Sequence, residues 1–218
     1  MKKILVGLFV ISALGYAKEV IPTAEAAPVQ VEELGYNLDV KVGGDLYSNY
    51  SWVKEVGTNK KLVDDETKGL GYEVSVEFLK EMNSNFEAGL GLAYQSHADR
   101  KRSDINAKGA SYDSMPIYAT AKYKFNLDSM YVPYVKANLG YSFNFNEKDL
   151  KTPVGNYSVK TDDGLYWAIG GGVEYNNFLV ELMYGVTKSD AKATKAIKGD
   201  YANDYEKLTL SVGYSFDL

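Results

Sequence analysis

The chain holds a single histidine, His97, and no cysteine. Thiol nucleophiles, disulfides, Cys-ligated zinc, iron–sulfur clusters and multi-histidine metal centres therefore have no residues to build them. Three groups of residues could still do chemistry: the neighbours Ser96 and His97, the run Arg100-Lys101-Arg102 with the only two arginines, and carboxylates and lysines spaced two apart. A serine nucleophile needs a base within hydrogen-bond reach and a third group to orient that base, as a lipid-modifying esterase or acyltransferase would. Adjacent residues on a strand point to opposite faces, which separates Ser96 from His97, and no orienting third group is identifiable. His97 reads as a loop-edge histidine and the chain as a non-enzyme. Guanidinium groups bind phosphate in bidentate fashion, so Arg100, Lys101 and Arg102 are candidates to touch lipopolysaccharide, set against the plainer reading of a solvated loop. With 24 basic and 29 acidic residues, a net charge of −5 and no basic stripe, nucleic acid is not an expected partner. No metal or cofactor is expected either.

The elements that must position these residues follow from period-two alternation. Between Tyr36 and Trp52 the even positions carry Leu38, Val40, Val42 and Leu46 and no charge, while the odd ones carry Asp39, Lys41 and Asp45. Seven further segments repeat the pattern. The cleanest sets Tyr131, Pro133, Val135, Ala137, Leu139, Tyr141, Phe143 and Phe145 against Lys136, Asn138, Gly140, Ser142 and Asn144. Tyr118, Tyr134, Tyr166, Leu179 and Met183 break the rule by falling on the polar parity.

Alternation alone also describes a soluble sandwich. Three features favour a membrane barrel. Rings cluster at both ends of the apolar faces, with Phe78, Phe125 and Phe178 among those at one end and Tyr50, Trp52 and Trp167 at the other, as in the aromatic girdles of a bilayer barrel. Short turns at 83–85, 126–129 and 176–177 alternate with long polar stretches at 56–68, 97–113, 147–163 and 188–204, which places turns on one side of a membrane and loops on the other. The apolar parity continues to Leu218, an edge that closure onto the first strand would remove. The expected fold is an all-β, eight-stranded antiparallel up-and-down transmembrane β-barrel over residues 36–218.

Ahead of it, MKKILVGLFVISALGYA (1–17) has a positive start, an apolar stretch of 12 residues and small residues at Gly15 and Ala17. That is the pattern of a secretory signal peptide, too short to span a bilayer as a helix. Residues 18–35, rich in Glu, Ala and Pro, read as an extended periplasmic linker.

A signal peptide, eight amphipathic strands, four long loops and a closing strand with Tyr214 and Phe216 near its end resemble the small bacterial outer-membrane barrels of the outer membrane protein A and X type. The leader and AKEVIP also resemble fusobacterial outer-membrane proteins. The resemblance implies the outer membrane of a Gram-negative cell, with outer-membrane lipid, lipopolysaccharide and the barrel-assembly machinery as partners and a host or surface ligand at the loops. Leu218 departs from the aromatic residue on which such barrels commonly end.

With apolar faces toward lipid, the polar faces meet inside. They carry Asp39, Lys41, Asp45, Glu73, Glu77, Glu87, Lys122, Lys136, Glu174, Glu181 and Lys207, together with Lys124 and Asp217. Eight strands leave an interior that side chains fill, and an isolated charge there is costly, so Lys41 and Lys136 are expected within reach of Glu73 or Glu77. A side-chain plug is the first reading of this network. A small, weakly cation-selective pore is the second.

Overall fold

The computed structural model describes residues 34–50, 67–102, 107–109, 111–127, 129–148, 150–152, 155–157, 159–193, 200–202 and 204–218. The expected signal peptide, Trp52 and all but the last two residues of the expected linker lie outside the described residues.

Eight long strands form the wall: β1 (Tyr36–Tyr50), β2 (Tyr72–Asn83), β3 (Phe86–Ser96), β4 (Asp113–Lys124), β5 (Tyr131–Phe145), β6 (Gly164–Tyr175), β7 (Phe178–Thr187) and β8 (Tyr205–Asp217). Each pairs antiparallel with the next, and β8 pairs back onto β1 from Asn37 opposite Asp217 to Tyr50 opposite Tyr205. The barrel is closed. Leu218 N–H adds a last rung by donating to the Tyr36 carbonyl at 2.8 Å. Closure leaves no unpaired strand edge, which hydrocarbon would penalise by several kcal/mol per orphaned group, on the order of the cost of burying an unbonded amide.

The wall is apolar outside and polar inside. Val135, Leu139 and Leu210 are 50%, 60% and 41% exposed, whereas Lys136 and Glu77 are 2% and 1% exposed. In water this would be inside out; in a bilayer it is the favourable sense. Rings meet in pairs at both rims: Tyr36 with Phe78, Tyr131 with Tyr175 and Phe178 with Tyr214 at the turn end, Tyr94 with Phe145 and Trp167 with Tyr184 at the loop end. Lys80 stands on the outer face at the turn-end rim with its ammonium 5.7 Å from the centre of the Tyr36 ring, a cation–π contact that lets an aliphatic stem run along the wall. The outward sense is testable. Leu139→Arg lowers the unfolding free energy by about 2–4 kcal/mol, the cost of a charge near the bilayer midplane. Urea unfolding in lipid vesicles measures it, and a neutral effect would mean that Leu139 faces water.

The turns use asparagine where the chain must reverse tightly. Asn176 and Asn177 have φ of 48° and 67°, the left-handed pair that a two-residue hairpin between Tyr175 and Phe178 requires. Asn83 Oδ1 accepts from the N–H groups of Asn85 and Phe86 at 2.9 Å each, closing the β2–β3 turn.

Two details differ from the sequence reading. A bulge between Asp45 and Tyr47 shifts the β1–β8 register, and beyond it parity inverts: Tyr47 is exposed, while Tyr50, expected in the outer girdle, is buried in the mouth. One extra residue moves every later side chain to the other face. Secondly, the long stretches read as loops contain strands of their own. Thr67–Lys68, Asp99–Arg102, Ala107–Gly109, Leu150–Thr152 and Gly155–Tyr157 make one five-stranded sheet; Val159–Thr161, Asp190–Ala193 and Asp200–Ala202 make a three-stranded one. Strands of two to four residues are too short to show alternation. Pro133 pairs in register with Val173 and accepts from Phe125 N–H at 2.8 Å, so the ladder runs past it without a bulge.

Candidate functional site

Inward positions on neighbouring strands bring like charges face to face. Lys122 on β4 is paired directly opposite Lys136 on β5, and Asp39 on β1 opposite Glu77 on β2. Such pairs repel along the wall. Counterions therefore come partly from across the lumen and partly from the wall itself, where Glu87 on β3 is paired directly opposite Lys122, and the lumen fills with crossing side chains.

At mid-height Lys41 Nζ lies 2.8 Å from Glu77 and 3.0 Å from Glu181, and Lys136 Nζ lies 3.0 Å from Glu77 and 2.6 Å from Glu181. Two ammoniums and two carboxylates alternate in a neutral ring whose members are 1–3% exposed. Tyr118 donates its hydroxyl to Glu77 at 2.9 Å and Tyr134 to Glu181 at 3.1 Å, so the remaining lone pairs are used as well. Toward the turn end, Lys122 pairs with Asp39 at 2.7 Å and Glu87 at 3.1 Å, while Lys124 reaches Glu87 and, at 3.4 Å, Glu174. Toward the loop end, Lys207 meets Glu73 at 2.6 Å and Asp45 at 3.8 Å, with Gln95 and Thr209 donating to the same two acids. Lys41 and Lys136 thus share Glu77, and Glu73 belongs to Lys207.

Rings pack in the lumen alongside the charges. Tyr118, Tyr166 and Met183 pack with Ala93 and Ala168 in a buried cluster, the two tyrosine rings 5.4 Å apart. Glycines opposite them make the room: a Cβ at Gly91 would run into the Tyr118 ring, and one at Gly172 would stand 2.6 Å from the Tyr134 hydroxyl. Between the middle and upper charge layers lies a void of about 10 Å³ lined by Glu73, Glu77, Asn138, Tyr166, Glu181 and Lys207. That is room for about one water molecule.

His97 is a correction. Expected at a solvated loop edge, it is 4% exposed and caps the lumen. Its ring stacks on Tyr205 at 4.0 Å and 15° and meets Tyr112 edge-on at 4.5 Å. The serine within reach of Nε2 is Ser114, at 3.1 Å, and not Ser96; Ser114 in turn donates to Gln95 Oε1 at 3.1 Å. Among the described residues Nδ1 has no hydrogen-bond partner, so none of their carboxylates orients the pair as the acid of a hydrolytic triad would.

Of the residues singled out in the sequence, the eleven from Asp39 to Lys207 named for the lumen all point inward and join these layers. Asp217, also placed on the polar parity, is exposed at the turn end, where it accepts from Asn177 Nδ2 at 3.1 Å. Arg100, Lys101 and Arg102 lie on the Asp99–Arg102 strand of the five-stranded sheet, apart from the eight strands of the barrel wall. Nearby, burial pushes the Asp99 carboxyl up, but hydrogen bonds from Ser111 and Lys148 outweigh it and hold the group below its ordinary range.

A family model described as the outer membrane protein beta-barrel domain matches residues 20–216. The chain belongs to that family. As a member of the outer membrane protein beta-barrel domain family it is an outer-membrane protein, seated among outer-membrane lipids. An uncharacterized protein of Pasteurella multocida (strain Pm70) is 27% identical over 248 residues, covering 99% of this chain and 98% of that one. The outer membrane protein OprG of Pseudomonas aeruginosa superposes with a TM-score of 0.60 at 16% identity, over 84% of this chain and 96% of that one. The outer membrane protein AlkL, solved in DMPC lipid bilayers, gives 0.51 at 15%, over 93% and 98%. At such identities these two structures speak for the shared barrel alone.

What sequence reasoning missed inside this outer-membrane barrel is the group of tyrosines buried in its lumen. The signal was present: Tyr118, Tyr134, Tyr166, Leu179 and Met183 were the exceptions to alternation, and all five are buried in the lumen. An apolar residue on the polar parity of a narrow barrel marks lumen filling.

Proposed function

We propose that this protein is a sealed barrel that acts through what it holds at the cell surface, and that it neither conducts ions nor catalyses a reaction. The observation carrying this reading is the neutral Lys41–Glu77–Lys136–Glu181 ring with Tyr118 and Tyr134 hydrogen-bonded to it. A hydrated ion crossing that layer would have to part charge pairs held in a dry interior. Reconstituted into planar bilayers, the full chain gives no steady single-channel steps; reproducible, weakly cation-selective channels would establish the pore reading in its place. Against an enzyme stands that no acid among the described residues orients Ser114 and His97. Lipase assays of wild type and His97→Ala check that.

The surface partners we propose are the phosphates of lipopolysaccharide, met by the outer five-stranded sheet. Backbone pairing there sets Lys101 opposite Lys108 and Lys108 opposite Lys151 across three strands, with Arg100 and Arg102 on the first of them. Replacing Arg100, Lys101 and Arg102 together by serine weakens binding to lipopolysaccharide-containing vesicles by about tenfold, roughly 1.4 kcal/mol spread over three phosphate contacts. Binding unchanged from wild type, or insensitive to added salt, would remove the sheet from this role. The same outer sheets are the surface on which a host or adhesive ligand would land, and Tyr214 and Phe216 on β8 are the residues we assign to recognition by the barrel-assembly machinery.

A further inference from the structure

The lumen carries a second closure above its charge layers, and it is built round the only histidine in the chain. His97 and Ala98 follow the outer end of β3, and what touches them comes from four other places in the barrel. Tyr50 of β1 donates its hydroxyl to the Ala98 carbonyl at 2.9 Å. Ala98 N–H donates to the Tyr205 hydroxyl of β8 at 3.2 Å, and that hydroxyl donates onward to Asp45 Oδ2 at 3.1 Å. Tyr112, ahead of β4, packs on the His97 ring and on Tyr50, and its own hydroxyl shares a hydrogen 3.4 Å from Ser189 Oγ, beyond β7. Shifting one imidazole would therefore loosen ties to β1, β4, β7 and β8 together.

We propose that this cluster is an acid-sensitive latch: protonation of His97 displaces its ring from between Tyr205 and Tyr112 and frees the segments around residues 97–98, 112 and 189 from the barrel mouth. The geometry suits the neutral ring and not the cation. His97 is buried; among the described residues Nδ1 has no partner, and Nε2 has Ser114 Oγ and Gln95 Oε1 within reach, at 3.1 and 3.4 Å. The charged groups around it are already engaged. Asp45 of β1 accepts from Tyr205 and Thr209; Glu73 of β2 accepts from Gln95 and Lys207; Asp113 of β4 accepts from Tyr94 and Asn146. On β8 the nearest charge is Lys207, of the same sign as an imidazolium. The Tyr205 face can return part of the loss as a cation–π contact, but only while the ring stays in place.

Burial first, and Lys207 second, hold the His97 imidazole well below its ordinary value. The sign follows by linkage. Below about pH 6.5 the unfolded or opened chain takes up a proton that the closed cluster resists, so stabilisation of the latch is complete above that pH and falls as the solution is acidified.

With one histidine in the chain, its ring carbon and nitrogen resonances in nanodiscs report the titration without ambiguity, and hydrogen exchange of the same full chain reports the opening. Exchange is measured at pH 7.5 and 5.0, each normalised to unstructured-peptide rates, for wild type and His97→Gln. Wild type is expected to lose at least tenfold of its protection at 97–98, 112 and 189 at the lower pH, while the turn-end strands keep theirs and His97→Gln shows no pH dependence. The proposal is overturned if protection is the same at both pH values, if the variant loses as much as wild type, or if the ring stays neutral down to pH 4. Should His97→Gln fail to fold, as read by gel mobility before and after heating, the wild-type titration and exchange still decide.

Discussion

Replacing Glu77 with alanine lowers the unfolding free energy of the barrel by about 3–5 kcal/mol, the range for breaking a buried ion pair by removing one partner. Glu77 lies between Lys41 at 2.8 Å and Lys136 at 3.0 Å and also accepts from Tyr118, so its removal leaves two buried ammoniums to share Glu181 and one phenol without its acceptor. Desolvation sets the size of the effect. The attraction among the four groups chiefly repays what it cost to take them out of water, and the remaining charges keep that cost when the attraction goes. The double variant Lys41→Met, Glu77→Leu should accordingly be more stable than Glu77→Ala alone, because the Lys136–Glu181 pair at 2.6 Å stays neutral. Urea unfolding in lipid vesicles, followed by tryptophan fluorescence, measures both. A loss under about 1 kcal/mol for Glu77→Ala, the scale of a solvated ion pair, would mean that the lumen is wet.

The contrast between what could and could not be read from the sequence has a physical cause in each case. Alternation is a wall property, repeated over strands of 10 to 15 residues, and so the barrel, its outward face and the closing role of β8 were legible from composition by parity. The interior charges were legible on the same rule. Their partners were legible only in part, because direct neighbours in the ladder are like-charged at some positions, as at Lys122 opposite Lys136, and oppositely charged at others, as at Lys122 opposite Glu87, while several counterions come from strands elsewhere in the barrel. Tyr50 was misplaced because a single bulge after Asp45 inverts parity, and no residue type near it announces the insertion. His97 was misread for a related reason. Its surroundings, Tyr112, Ser114 and Tyr205, lie 15 to 108 positions further along the chain, and only barrel closure brings them together. The short outer strands left no periodic trace at all.

The tyrosines give the second large effect. On the proposed sealed reading, alanine at Tyr118, Tyr134 and Tyr166 together opens a conducting path, with steady steps in planar bilayers under conditions where wild type is expected to give none. These three rings are 2–3% exposed and stand on β4, β5 and β6, so removing them strips one side of the lumen while leaving the ladder untouched. Gly91, Gly140 and Gly172, which are paired directly opposite them, add no side chain to refill the space. Cavities with polar walls fill with water, and the void already present beside Tyr166 touches Glu73, Glu77, Glu181 and Lys207. Water admitted there would hydrate the central ring and weaken its pairing, so loss of packing and loss of charge closure reinforce each other. The acids lining that void outnumber Lys207, which makes the opened path cation-favouring. Conduction should then appear in the triple variant alone, with single replacements silent, provided that heat-modified gel mobility shows each barrel folded. If the folded triple variant remains silent, the seal belongs to the His97 layer above, and that layer becomes the one to remove next.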